Sequence, residues 1–175
     1  MPDQLYFFSG SADKPVGKGV NEYVENPQKY VKLNQISNWR RKLSNFWVAT
    51  FECNGRRWNT VEHMFQAYKF NDVDPDLMFS FSIDSGSELS QSNGDVARSM
   101  RKRIKLNNEQ LDQWNKIKDD ILYQALIAKF SQHPELARIL ILTGDAELWH
   151  GAPRVPKKRQ YILEAVRTQL IQQNN

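Results

Sequence analysis

Glu62, Gln66 and Lys69 place a carboxylate, an amide and an ammonium inside the aromatic-rich stretch WNTVEHMFQAYKF, residues 58–70. On a helix, Gln66 lies about 40° to one side of Glu62 and Lys69 about 20° to the other, so all three share one stripe. A carboxylate held ionised by a nearby ammonium can stabilise a developing positive charge or orient a water. A structural reading stands beside this one. Asn59 is a good N-cap and Glu62 follows three residues later, as in a capping box. Lys69 can snorkel and Gln66 can face water.

The elements that must position these residues lie just upstream. SNWRRKLSNFW (37–47) carries Trp39, Arg40, Arg41, Lys42 and Asn45 and reads as the strand leading into a hairpin. Strand alternation would turn Arg40 and Lys42 to one face and Arg41 to the other. Thirteen of the twenty aromatic residues fall in the first 70 positions, more than a core alone explains in that half. Aromatic faces stack on bases, and an arginine fork grips a phosphate or carboxylate. The set suits a nucleotide-like ligand, with Arg40 expected on its phosphate and Glu62 at the bond that breaks.

The hairpin itself is NFWVATFECNGRRW, folded about Asn54-Gly55, a pair suited to the positive φ angles of a type I′ turn. LYFF (5–8) reads as a first strand and opens into KPVGKGVNEYVENP, expected as a long exposed loop. Its lone GKG has no helix behind it and is a weak phosphate signal. The rest turns helical. DPDLMFSF is short, and NGDVARSMRKRI begins at an Asn/Asp cap. NEQLDQWNKIKDDILYQALIAKFSQH is long, with Leu111, Trp114, Ile117, Ile121, Leu122, Ala125 and Phe130 in its apolar stripe. PELARILILTG opens on Pro and ends on Gly. AELWH is a short strand or turn, and KKRQYILEAVRTQLIQQ a closing helix. The expected fold is α+β: N-terminal strands and a β-hairpin followed mostly by helices, one domain over residues 1–175.

Composition narrows the function classes. Forty percent apolar residues is ordinary globular usage, and no apolar run approaches ~18 residues, the length of a membrane-spanning helix. The N-terminus lacks a basic segment followed by an apolar one, so no signal peptide is expected. Cys53 has no partner cysteine, which suits a reducing, cytoplasmic setting. His63, His133 and His150 are scattered, so no metal is expected. The net charge of +4 gathers at WRRK (39–42), RKRIK (101–105) and PKKR (156–159). Such clusters are solvated faces or sites for an anionic ligand.

KLSNFW, then FECNGRRWNTVEHMFQAYKF, resembles the NADAR family, also called YbiA-like. Its pattern runs LSNF, a strand, a G-x-x-W turn, then [ST]-V-E-H-x-x-Q-A-x-K-F. ALIAKFSQHPELARILILTGDAELWH is similar to a downstream family segment, and together the match covers most of residues 40 to 150. The resemblance implies a YbiA-like fold and an N-glycosidase with no cofactor. The implied substrates are phosphorylated ribosylamino intermediates of riboflavin synthesis, or ADP-ribosylated guanine bases in nucleic acid. It makes Glu62 the catalytic carboxylate, with Asn45 and Lys69 beside it and Trp58 and Gln66 lining the substrate. Trp39 and Arg40 join that lining through stacking and the arginine fork, not through the resemblance.

The chain departs from the family at one place. Many bacterial members continue with D-x-x-W-G, whose aspartate helps form the site; here TGDAELWHGAPR has none. Trp149, His150 and Arg154 are the expected replacement for that wall. The alternative is a structural tryptophan with a water-facing histidine. Two other functions remain on the same residues: a non-catalytic ADP-ribose or nucleotide reader, and a basic nucleic-acid-binding domain.

Overall fold

The computed structural model describes residues 1–174. In chain order the first elements are β1 (Gln4–Phe7), α1 (Val31–Asn34), α2 (Trp39–Leu43), β2 (Phe51–Cys53), β3 (Arg56–Trp58), α3 (Val61–Lys69) and α4 (Pro75–Ser80). They are followed by α5 (Gly94–Ser99), α6 (Asn108–Gln132), α7 (Pro134–Leu142), β4 (Glu147–His150), β5 (Lys158–Arg159) and α8 (Tyr161–Gln173). The class is α+β, as expected. The elements fall into two compact units: Met1–Ser44 with the chain from His133 onward, and the continuous stretch Asn45–Gln132.

The first unit is built on a three-stranded sheet in the order β1-β4-β5. β1 and β4 pair in parallel, Leu5 opposite Leu148 and Phe7 opposite His150, while β5 pairs antiparallel to β4. Alternation sends Leu5, Phe7 and Leu148 into the core. There they join Leu136, Ile139 and Leu140 of α7 and Leu163, Val166 and Leu170 of α8. One expectation is corrected here. Residues 39–43 form a helix, not a strand: Asn38 turns the chain at a φ of 56°, and Arg, Lys and Leu favour the helix that follows. The loop after β1 is mostly exposed, as expected, but one of its side chains anchors it. The Glu22 side chain is fully buried. It accepts hydrogen bonds from the backbone N–H of Tyr6 and of Gly17 and pairs with Arg40.

The second unit holds the β2–β3 hairpin, whose turn puts Asn54 at φ 54° and Gly55 at φ 77°, as the type I′ geometry requires. Asp74 and Asn93 cap α4 and α5 with their side chains. α3 packs against both α5 and α6. Gly94 is needed where α5 starts, since a Cβ there would meet Phe46 at 2.4 Å. On α6 the buried face is Trp114, Ile121, Ala125, Leu126 and Phe130, whereas Leu111 and Ile117 stand exposed.

Lys129 shares that buried face, 1% exposed, with its ammonium 4.8 Å from the centroid of the Phe130 ring. Burial brings its pKa from 10.5 down to about 7. Between those values the unfolded chain binds a proton that the folded one does not, so this group's contribution to stability rises with pH. Comparing Lys129→Met with wild type, the difference in unfolding free energy should move in favour of Met as pH falls from 10.5 to about 7. Denaturant titrations at several pH values measure it; a difference that does not vary with pH contradicts the assignment.

Candidate active site

Glu62 opens α3, but not as a capping-box residue. The cap is Thr60, one position later than Asn59, and its hydroxyl accepts the His63 N–H at 3.2 Å. His63 also meets that hydroxyl through Nδ1, at 2.7 Å. The Asn59 amide donates instead to the Ser92 carbonyl. Glu62 is therefore the second helical residue. Its backbone N–H donates to the Asn45 carbonyl at 3.2 Å, which ties the asparagine of the LSNF segment to the start of α3.

Freed from capping, the Glu62 carboxylate lies 8% exposed and accepts a hydrogen bond from Gln66 Nε2 at 2.8 Å, one helical turn on. Burial pushes its pKa above the usual carboxylate value; the Gln66 bond and the charges of Arg98, Arg101 and Lys69 pull it back. Gln66 Oε1 is itself buried and has no hydrogen-bond partner among the described residues. A buried acceptor left in that state costs about 1–3 kcal/mol, so it points to a donor supplied from outside the fold. Lys69 is half-buried, and burial and Arg101 lower its pKa while Glu62 raises it. Lys69 also edges a cavity of about 320 Å³ whose apolar wall includes Tyr68, Val73, Trp114 and Ile117. The stripe of Glu62, Gln66 and Lys69 thus forms one electrostatic group.

Three expected ligand contacts are corrected. Trp58 is fully buried and donates its indole N–H to the Cys53 carbonyl. Trp39 is buried in the other unit with Arg40 4.3 Å above its ring, so no face is left for a base. Arg40 is 2% exposed and bonds Glu22 and the carbonyls of Tyr6, Lys14 and Pro15, leaving no fork for a phosphate. In that same unit Trp149 stacks on Tyr6, with centroids 5.9 Å apart, and donates to Glu147. His150 meets the edge of Phe7, and Arg154 is exposed with a φ of 62°. No motif in the sequence points to Arg98 or Arg101 individually. Arg101 sits in the RKRIK run and Arg98 three residues before it, a helical spacing that marks a shared face.

A family model described as the NADAR domain matches residues 30–154. The chain belongs to the NADAR family. It is 31% identical over 106 residues to N-glycosidase YbiA of Escherichia coli (strain K12), a stretch taking in 61% of this chain and 59% of that NADAR relative. It is 35% identical over 97 residues to the chloroplastic riboflavin biosynthesis protein PYRR of Zea mays, 55% of this chain and 15% of the plant protein. The NMR structure of the E. coli protein YbiA superposes with a TM-score of 0.61 at 28% identity, covering 77% of this chain and 80% of that one. The chain thus matches less than two thirds of the length of these curated relatives. Among the described residues no three His, Cys, Asp or Glu side chains gather as metal ligands, and no helix is long and apolar enough to cross a membrane.

Proposed function

We propose that this NADAR protein is an N-glycosidase that hydrolyses the C–N bond of a ribosyl substrate, with Glu62 as its catalytic carboxylate. The observation that carries the reading is the buried pair of Glu62 and Gln66, whose amide oxygen has no donor among the described residues. A ribose hydroxyl or the attacking water would supply it. Relatives named as an N-glycosidase and as a riboflavin biosynthesis protein support the reaction class. We take the two units as one functional domain, since the family match runs through residues of both.

In this reading the C1′–N bond breaks with its electron pair leaving on nitrogen, and the ribose becomes oxocarbenium-like. The ionised Glu62 stabilises that charge and takes a proton from the water whose oxygen bonds to C1′. The same proton then passes to the departing nitrogen. A carboxylate with a raised pKa is suited to hold a proton for that interval. Asn45 contributes by fixing the start of α3, and Lys69 by favouring the ionised carboxylate.

The experiment incubates the protein with ribosylaminouracil phosphate and with ADP-ribosylated guanine DNA and measures released amine or base. Release from either supports the glycosidase, and the preferred one names the substrate. Saturable binding with no product from either would replace it with a reader of the same ligands.

A further inference from the structure

We propose that Arg98 and Arg101, together with Lys69, form the subsite for the substrate's phosphoryl group. Its place beside Glu62 rests on the glycosidase reading; its chemistry does not.

One negative charge, Glu62, is acted on by three positive ones, Arg98, Arg101 and Lys69. The two arginines act on it more strongly than Lys69 does. The cations also oppose one another, since Arg101 disfavours the charged form of Lys69. Like charges are held near one another at a cost, and a bound anion relieves it. The two arginines are three residues apart across the end of α5 and the 3₁₀ turn Met100–Lys102 that continues it, which puts them on a common face. α5 packs on α3, and its buried Ala97 directly precedes Arg98. Among the described residues neither guanidinium has a hydrogen-bond or ion-pair partner, in contrast to Arg40, Arg57 and Arg159, which all have one. Both are solvent-exposed, with their donors available to a ligand. Two unspent forks and an ammonium match phosphate oxygens. The same chemistry serves a 5′-phosphate monoester or a diphosphate, and the phosphate once expected at Arg40 belongs here.

The test uses the full chain and four proteins: wild type, Arg98→Ala, Arg101→Ala, and Arg103→Ala as a control that removes the same charge from the same segment. Calorimetry with inorganic phosphate and with pyrophosphate reads the subsite without any turnover. Wild type should bind at least one probe, each of the first two variants should weaken it roughly 10-fold or more, and Arg103→Ala should bind as wild type does. Tighter pyrophosphate binding indicates a diphosphate ligand, and preference for phosphate a monoester. With substrate, KM for ribosylaminouracil phosphate should rise far more than KM for its dephosphorylated form. No binding of either probe by wild type, equal losses in Arg103→Ala, or equal KM changes for both substrates would overturn the proposal. If no substrate is cleaved but probe binding still depends on Arg98 and Arg101, the subsite stands and the glycosidase reading falls.

Discussion

Glu62→Gln is expected to lower turnover by roughly 10²- to 10³-fold, the usual cost of losing one interaction aimed at transition-state charge. The amide has nearly the same shape, so the fold should survive, and its stability relative to wild type should change with pH. Burial raises the folded pKa of Glu62 above its ordinary value of 4.5. The stability linked to its protonation is therefore fully present below 4.5 and is lost as pH rises through the folded value. Glutamine carries no such proton, so Glu62→Gln should gain on wild type as pH rises from 4.5 toward neutrality. Stopped product release and denaturant titrations on the same preparations measure both. Activity within a few-fold of wild type would remove Glu62 from the mechanism.

Arg40→Ala should act on stability and not on substrate affinity. Its guanidinium is buried against Glu22, whose own side chain is fully buried. Removing one partner of such a pair strands the other charge, and the loss is commonly about 3–5 kcal/mol. Glu22→Gln should also be costly, because the N–H groups of Tyr6 and Gly17 bond different carboxylate oxygens, so the amide NH2 would face one of these donors while Arg40 keeps an unpaired buried charge. Replacing both charges together by Met should recover only part of the loss, since it leaves no buried charge but strands the N–H groups of Tyr6 and Gly17 and the carbonyls of Tyr6, Lys14 and Pro15. Urea titrations test the series. A KM effect in Arg40→Ala without destabilisation would return the residue to the ligand.

Local signals in the sequence reached as far as local physics does. Asn54-Gly55 specified its turn, Pro134 began α7, and the period of α6 was readable along most of its length. The one-residue difference between Asn59 and Thr60 as the cap lay beyond composition, because both side chains can cap and only the packing of Asn59 on the Ser92 carbonyl decides. Residues 39–43, Trp-Arg-Arg-Lys-Leu, are too short a run to show a helical period, and the aromatic residues around them favour a strand. The Glu62–Gln66–Lys69 stripe followed from helical spacing alone. The partner of Arg40 did not, since Glu22 is 18 residues away and nothing local couples them. Arg98 and Arg101 were hidden among basic residues that look alike until the carboxylate beside them is known.

The β1–β4 pairing also sets an order of assembly. Gln4 and Glu147, hydrogen-bonded to each other, are 143 residues apart in the chain. A parallel pairing of such separation closes a very long loop and forms late. Asn45–Gln132, by contrast, is one uninterrupted stretch, and all of it is synthesised before Glu147. The stripe of α3 together with Arg98 and Arg101 can take up its place while β1 still lacks a neighbour on the β4 side. A strand with an unpaired edge invites association with other chains. The vulnerable interval in the life of this protein thus falls between the maturing of its candidate site and the arrival of β4.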